Sequence, residues 1–95
     1  IDMTTSQPDR YTVGNMIQLR GNDLRFKLSD LTQGTFFRSG SAAEVRGTLY
    51  GQNEPGIVSV AVPAALSGPL TVRHAAYING SIRSYTYTHT LTPVV

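Results

Sequence analysis

The two histidines of this 95-residue sequence, His74 and His89, are the side chains best suited to metal binding or proton transfer near neutral pH. A metal site built on two histidines needs at least one further ligand. The surrounding segment, residues 70–90, contains no aspartate or glutamate. We therefore predict neither a metal site nor a cofactor, and expect each imidazole to be hydrogen-bonded or hydrated near an end of a sheet.

Hydroxyl and carboxylate side chains are plentiful, but their spacing does not match a catalytic pattern. The sequence lacks a Gly-x-Ser-x-Gly elbow and has no cysteine nucleophile. Calcium binding would need several carboxylates in one loop, whereas these six are dispersed: Asp2, Asp9, Asp23, Asp30, Glu44 and Glu54. We predict that the protein is not an enzyme.

Eight lysines and arginines against six aspartates and glutamates give a net charge of +2, and the cations are scattered singly. Dedicated nucleic-acid binders usually cluster such residues, so direct DNA binding is not the favoured interpretation. Arg20, Arg25 and Lys27 are nevertheless candidate phosphate contacts, because planar or cationic donors on an outward strand face suit phosphate oxygens. The alternative is that they form the ordinary solvated face of a sheet.

Residues 85–92 alternate strictly, with threonine at every second position and Tyr85, Tyr87, His89 and Leu91 between them. A period of two sends alternate side chains to opposite faces of a strand. The preceding Asn79-Gly80 pair is a strong signal for a two-residue hairpin turn. A hairpin is therefore expected, with Leu70–Ile78 as its first strand and Ser81–Thr90 as its returning strand.

That turn predicts a register in which Ile78 pairs with Ser81, His74 with Tyr85, and Val72 with Tyr87. One face of the hairpin is assigned to the core: Leu70, Val72, Tyr85 and Tyr87. The opposite face is assigned to water and is the candidate partner-contact face: Thr71, Arg73, Thr86 and Thr88.

The remaining sequence divides into short apolar runs separated by turn residues. We predict strands at Met16–Arg20, Gly34–Arg38, Glu44–Tyr50 and Ile57–Val62, a turn at Gly51–Gly56, and either a strand or an extended continuation at Leu24–Leu28. The expected core residues of these segments are Ile17, Leu19, Leu24, Phe26, Leu28, Val45, Leu49, Val58, Val60 and Val62. No helical periodicity persists beyond one turn, so an all-β sandwich of about seven strands, ending in a hairpin, is predicted.

Residues 14–95 are expected to form this one domain, and residues 1–13 a linker or an edge strand. No run of about 20 apolar residues is present, so membrane insertion is not expected. Because the sequence begins with Ile1 rather than methionine, we expect it to be part of a longer chain.

Several segments occur in a familiar order: 16–24, Gly34-Thr35-Phe36-Phe37, 58–64, 67–72, and Tyr85-Thr86-Tyr87 with Leu91 four residues on. This order resembles the immunoglobulin-like domain of unknown function found in Bacteroidetes, typically C-terminal to an HU-like DNA-binding domain. The resemblance covers about residues 14–94 and consists of structural motifs. The sequence lacks the acidic turn residues expected between the second and third strands.

The resemblance implies an immunoglobulin-like β-sandwich that acts as a non-catalytic accessory domain of a nucleoid-associated bacterial protein in the cytoplasm. DNA would be bound only through an N-terminal domain outside this sequence. The partner would be an unknown protein or a second copy of the chain. The alternative is a carbohydrate-binding or adhesion module of a secreted or surface protein, but the predicted burial of Tyr85 and Tyr87 argues against sugar stacking.

Overall fold

The computed structural model describes residues 10–12, 15–21, 24–27, 29–40, 43–63, 66, 68–78, 80–87 and 90–93. The prediction of an all-β fold is confirmed, since these residues form nine strands and contain no helix. The strands are β1 (Arg10–Tyr11), β2 (Met16–Arg20), β3 (Gly34–Ser39), β4 (Val45–Arg46), β5 (Tyr50–Glu54), β6 (Ile57–Ala61), β7 (Leu70–Ile78), β8 (Ser81–Thr86) and β9 (Thr92–Pro93).

The smaller main sheet has three strands in the order β2-β6-β5. Strands β2 and β6 run antiparallel, with Ile17 opposite Val60 and Leu19 opposite Val58. These four side chains are buried, as the alternation of each strand predicts. The pairing of β5 with β6 is irregular between Tyr50 and Gln52.

The larger main sheet has four strands in the order β4-β3-β7-β8. The predicted hairpin register is confirmed, because Ile78 pairs with Ser81 and His74 with Tyr85. Gly80 has a φ of 91°, the left-handed conformation that favours glycine in such a turn. After β8 the register changes. A regular ladder would pair Leu70 with His89, but Leu70 forms a bridge with Leu91 instead.

One hydrophobic core is shared by the two main sheets. It combines Ile17 and Val60 of the three-stranded sheet with Phe37 and Val72 of the four-stranded sheet. Tyr11 is fully buried in the same cluster. It lies in β1, which pairs in parallel with β9 as a separate two-stranded sheet. Residues 1–9, part of the predicted linker or edge strand, lie outside the described residues.

The predicted strand Glu44–Tyr50 and the core positions within it are wrong. The chain crosses between the sheets here, because β4 pairs with β3 whereas β5 pairs with β6. Gly47 lies at the crossing, where an added Cβ would come within 2.6 Å of Val60 Cγ2. Val45 and Leu49 are 37% and 64% exposed, because the crossing breaks the alternation on which the prediction depended. The predicted turn at Gly51–Gly56 is also mostly strand, since β5 extends to Glu54.

Residues 24–27, which precede β3, are extended but do not pair as a strand. Leu24 and Phe26 are buried as predicted, whereas Leu28 lies outside the described residues. The side chain of Asn53 takes the place of a neighbouring strand. Its Oδ1 accepts from the Phe26 N–H at 3.0 Å, and its Nδ2 donates to the Phe26 carbonyl at 2.7 Å.

Candidate functional site

The predicted partner-contact face is formed in part by the β7–β8 ladder, where Arg73 lies directly opposite Thr86. The Arg73 guanidinium donates from Nε to Glu44 Oε2 at 2.9 Å and lies 4.3 Å from the centre of the Phe36 ring. The hydrogen bond from Arg73 lowers the pKa of the Glu44 carboxyl. Thr71 is half-buried on the same strand, and Thr88 lies outside the described residues. Arg73 is therefore engaged within the molecule.

The three candidate phosphate contacts are all exposed but belong to two different segments. Arg20 ends β2, and its Nε donates to Gln18 Oε1 at 3.0 Å. Arg25 and Lys27 alternate with the buried residues Leu24 and Phe26 in the extended segment that follows, so they face away from the core. Of the three, only Arg20 lines the cleft described next.

A cleft of about 360 Å³ lies where the end of β2 approaches β8. Its lining residues are Arg20, Gly21, Leu24, Tyr85 and Tyr87. The two tyrosine rings meet edge to face, with their centres 5.0 Å apart and an interplanar angle of 88°. The volume lies near the lower end of the range for small-molecule sites, about 300–1,000 Å³.

The cleft exists because Tyr85 is not in the core, which corrects the sequence prediction. Tyr85 is 58% exposed, whereas Tyr87 is half-buried and packs against the core. Strand β8 is the outer strand of the four-stranded sheet, and all six of its residues are exposed. Alternation gave Tyr85 the core-facing side of the strand, but the core does not extend as far as this edge. Burial raises the pKa of the Tyr87 phenol.

The lining of the cleft offers aromatic, cationic and apolar groups that suit binding. It contains a guanidinium, two phenols and the apolar side chain of Leu24, but no carboxylate or imidazole. Such a surface can stack against a flat group and donate to an oxygen acceptor. It lacks the nucleophile, base and orienting acid that hydrolysis needs. The sequence analysis missed this site because Arg20 and Tyr85 are far apart in the chain.

His74 lies in the middle of β7 rather than near a sheet end, so that part of the prediction is wrong, whereas its hydrogen bonding is confirmed. Its Nε2 lies 2.6 Å from the Leu24 carbonyl oxygen, which can only accept, so Nε2 carries the proton. Nδ1 then accepts from Thr35 Oγ1 at 2.9 Å. Burial lowers the pKa of His74. His89 lies outside the described residues.

A second polar cluster, missed by the sequence analysis, fixes the loop before β3. Asp30 accepts from the N–H and the hydroxyl of Thr32 at 2.9 and 2.6 Å, and from Gln33 Nε2 at 2.9 Å. Gln33 is buried and uses Oε1 to accept from the backbone N–H groups of Lys27 and Tyr77. The Asp30-x-Thr32 spacing was an available signal, since aspartate commonly caps the N–H two residues ahead. These bonds hold the loop in place, and no buried side-chain nitrogen or oxygen of the described residues lacks a hydrogen-bond partner.

The described ranges lack two further features. They hold no group of three or more histidine, cysteine, aspartate or glutamate side chains placed to share a metal ion. Within the same ranges, no helix has the length and apolar character to cross a membrane.

Comparison with solved structures shows a likeness that extends over nearly the whole chain. The fold is similar to the crystal structure of a "Putative bacterial DNA binding protein" from Bacteroides vulgatus, with a TM-score of 0.82 and 22% sequence identity. The match covers 98% of this chain but 44% of that chain. No family model matches the sequence, and the search of curated proteins found no match. The chain therefore shares its fold with a little under half of that bacterial protein.

Proposed function

We propose that this chain is an immunoglobulin-like, non-catalytic interaction domain of a bacterial DNA-binding protein. In the proposed arrangement, DNA is bound by an HU-like domain outside this sequence, and this domain contacts a protein partner. The observation that supports the proposal most is the match to a Bacteroides protein over 98% of this chain and 44% of that one. The order of sequence motifs from residue 14 to residue 94 points to the same context independently.

The polar chemistry of the described residues supports a non-catalytic role. Both ring nitrogens of His74 are hydrogen-bonded, one to Leu24 and the other to Thr35. The Asp30 carboxylate accepts hydrogen bonds from Thr32 and Gln33. Neither group faces the cleft lined by Arg20, Tyr85 and Tyr87. The groups that could transfer protons are therefore separated from the surface that could bind a ligand.

Charge placement supports DNA contact elsewhere in the parent protein. The cations that the sequence singled out lie in three places: Arg73 is paired with Glu44, Arg20 lines the cleft, and Arg25 and Lys27 lie in the exposed segment that follows β2. A protein that neutralises several phosphates presents its cations together along one track. The carbohydrate-binding alternative is not favoured by the comparisons, although the exposure of Tyr85 removes one objection to it.

A salt-titrated DNA-binding measurement tests the proposal. Fluorescence anisotropy of a labelled 20-base-pair duplex with the 95-residue chain should show no more than weak association at physiological salt, with Kd above about 10⁻⁴ M, the weak limit of ordinary non-specific binding. The same duplex should bind a chain extended at its N-terminus through the adjoining domain. Tight binding by the 95-residue chain, weakening steeply with added salt and lost in the Arg25→Ala/Lys27→Ala variant, would contradict it.

A further inference from the structure

Strand β8 is an open sheet edge of a kind that proteins usually protect. Edge strands are ordinarily kept short, bulged, capped with proline or covered, since unpaired backbone groups recruit other strands. Among the described edges, β4, β1 and β9 have two residues each, and β9 contains Pro93. Strand β5 carries an irregularity next to Gln52. Of the edges that the structure describes, only β2 and β8 are regular over five or six residues.

The two regular edges differ in how far they are covered. Strand β2 alternates between buried and partly exposed residues, whereas every residue of β8 is exposed. Large apolar side chains are also exposed along this edge: Ile82 and Tyr85 of β8 are 45% and 58% exposed, and Tyr77 of β7, which pairs with Ile82, is 59% exposed. Within the described part of the chain, β8 pairs with β7 alone. It is therefore the edge best placed to accept another strand.

The register of the hairpin determines which backbone groups of β8 point outward. The Tyr87 N–H donates to the Val72 carbonyl at 2.9 Å. Because bonding direction alternates along an antiparallel strand, Ser81, Arg83 and Tyr85 also direct their backbone groups toward β7. The N–H and C=O groups of the intervening residues point away from the sheet: Ile82, Ser84 and Thr86.

We propose that β8 pairs with β8 of a second copy of this chain, antiparallel and centred on Ser84, so that the two four-stranded sheets join into one. This rests on the proposed interaction role and names its partner. In this register Ser84 bonds with Ser84 of the second copy, and Ile82 bonds with Thr86 on either side. Each outward N–H and C=O of β8 then has a partner.

The side chains select this register over its neighbours. Centring on Ser84 places Arg83 opposite Tyr85 of the second copy on the same face, where a guanidinium can lie against an aromatic ring. Centring on Arg83 would oppose two like charges directly, which is destabilising across strands. Centring on Tyr85 would place Ile82 opposite residue 88, beyond the end of β8. Of these three registers, the one centred on Ser84 satisfies both charge and hydrogen bonding.

Single-cysteine cross-linking tests the register, because the sequence contains no cysteine. Directly opposed residues in a hydrogen-bonded antiparallel pair have Cα atoms about 5.5 Å apart, within the roughly 4.4–6.8 Å range of disulfides. Ser84→Cys should therefore form a disulfide-linked dimer under mild oxidation. In this register residue 83 of one copy lies diagonally across from residue 83 of the other, about 7–8 Å away, so Arg83→Cys should cross-link poorly. Thr48→Cys, at an exposed position, is the control for random collision.

Sedimentation velocity over a concentration series tests the pairing without cysteine. Ser84→Pro removes an outward N–H while leaving the bonds to β7 intact, and proline is tolerated at such edge positions. It should shift the protein to monomer, whereas Ser84→Ala should behave like the parent. Thermal unfolding of both variants establishes that they fold.

The proposal is overturned if the parent chain is monomeric throughout the concentration series and Ser84→Cys links no faster than Thr48→Cys. Faster linking by Arg83→Cys than by Ser84→Cys also overturns it, in favour of the other register. Either result leaves the interaction role standing, because that role is tested separately by DNA binding. Tight salt-dependent DNA binding with intact Ser84 cross-linking would instead remove the proposed function and keep the dimer.

Discussion

His74 and Thr35 form a buried hydrogen bond between the two central strands of the four-stranded sheet, with Nδ1 and Oγ1 2.9 Å apart. The two residues lie directly opposite each other in the β3–β7 ladder. The other ring nitrogen donates to the Leu24 carbonyl, and Phe26 packs edge to face on the ring at 5.4 Å. The imidazole therefore ties the extended segment before β3 to the sheet in its neutral form.

The protein should become less stable as the pH is lowered through the titration range of His74. Burial holds the folded pKa below the ordinary value of 6.5, so the unfolded chain binds more protons in the window below 6.5. Stability from this group is complete above about 6.5 and declines as the pH falls below it. Urea unfolding between pH 8 and pH 5 should show the decline.

His74→Phe provides the matched variant for that experiment. It should lose the part of the pH dependence that His74 supplies, because phenylalanine does not titrate. At pH 8 it should also be less stable by about 1–3 kcal/mol, since the Leu24 carbonyl and the Thr35 hydroxyl lose their partner. An unchanged pH profile in His74→Phe would assign the dependence to other groups.

The Asp30 carboxyl should titrate well below an ordinary aspartate. Its hydrogen bond from the Thr32 hydroxyl, followed by those from Gln33 and the Thr32 N–H, lowers its pKa from 3.8 to about 2. Its contribution to stability is therefore present above 3.8 and is lost as the pH falls through about 2. Carboxyl carbon NMR should show this low titration, and Thr32→Val should move it upward. Leu31→Ala, at a neighbouring residue with 75% exposure, should leave it unchanged.

Tyr11 should behave as a core residue although it lies among the first thirteen residues. Its side chain is fully buried, and its hydroxyl donates to the Gly68 carbonyl at 2.6 Å. Tyr11→Ala should therefore cost about 3–5 kcal/mol of unfolding free energy, as for other buried aromatics. Tyr77→Ala, at a tyrosine with 59% exposure, should cost less than about 1 kcal/mol. Equal losses in denaturant unfolding would show that Tyr11 does not belong to the core.

The Arg73–Glu44 pair should be weakly stabilising. The side chains are 29% and 36% exposed, and exposed pairs typically couple by about 0.2–1 kcal/mol. A double-mutant cycle of Arg73→Ala and Glu44→Ala should return a coupling in that range that shrinks with added salt. Arg73→Ala should cost more than Glu44→Ala, because it also removes the contact with the Phe36 ring. The reverse order would argue against that contact.

Local chemistry made part of this fold predictable. The Asn79-Gly80 turn selects a register between adjacent segments, so the pairing of Ile78 with Ser81 and of His74 with Tyr85 needed no knowledge of distant contacts. Alternation in β2 and β6 likewise identified Ile17, Leu19, Val58 and Val60 as buried. These features depend on backbone geometry that a few neighbouring residues determine.

The candidate site was not predictable in the same way. The cleft requires Arg20 and Tyr85, which are distant in the chain, to lie beside each other. The sequence correctly placed Tyr85 and Tyr87 on one side of a strand, but only the tertiary structure decided that Tyr85 lies at the edge while Tyr87 reaches the core. Alternation predicts the face of the sheet on which a side chain lies. It does not predict how far the core extends across that face.

What the sequence determined by itself is an all-β chain with a hairpin of defined register, because turn preferences and period-two alternation act over a few residues. The tertiary structure decided where the chain crosses between sheets at Gly47, which strand stays open at the edge, and that the His74 imidazole is enclosed. Those outcomes depend on contacts between residues far apart in sequence. Bringing distant residues together costs chain entropy, and this cost is offset only when the core forms. Such contacts therefore depend on the packing of the whole molecule.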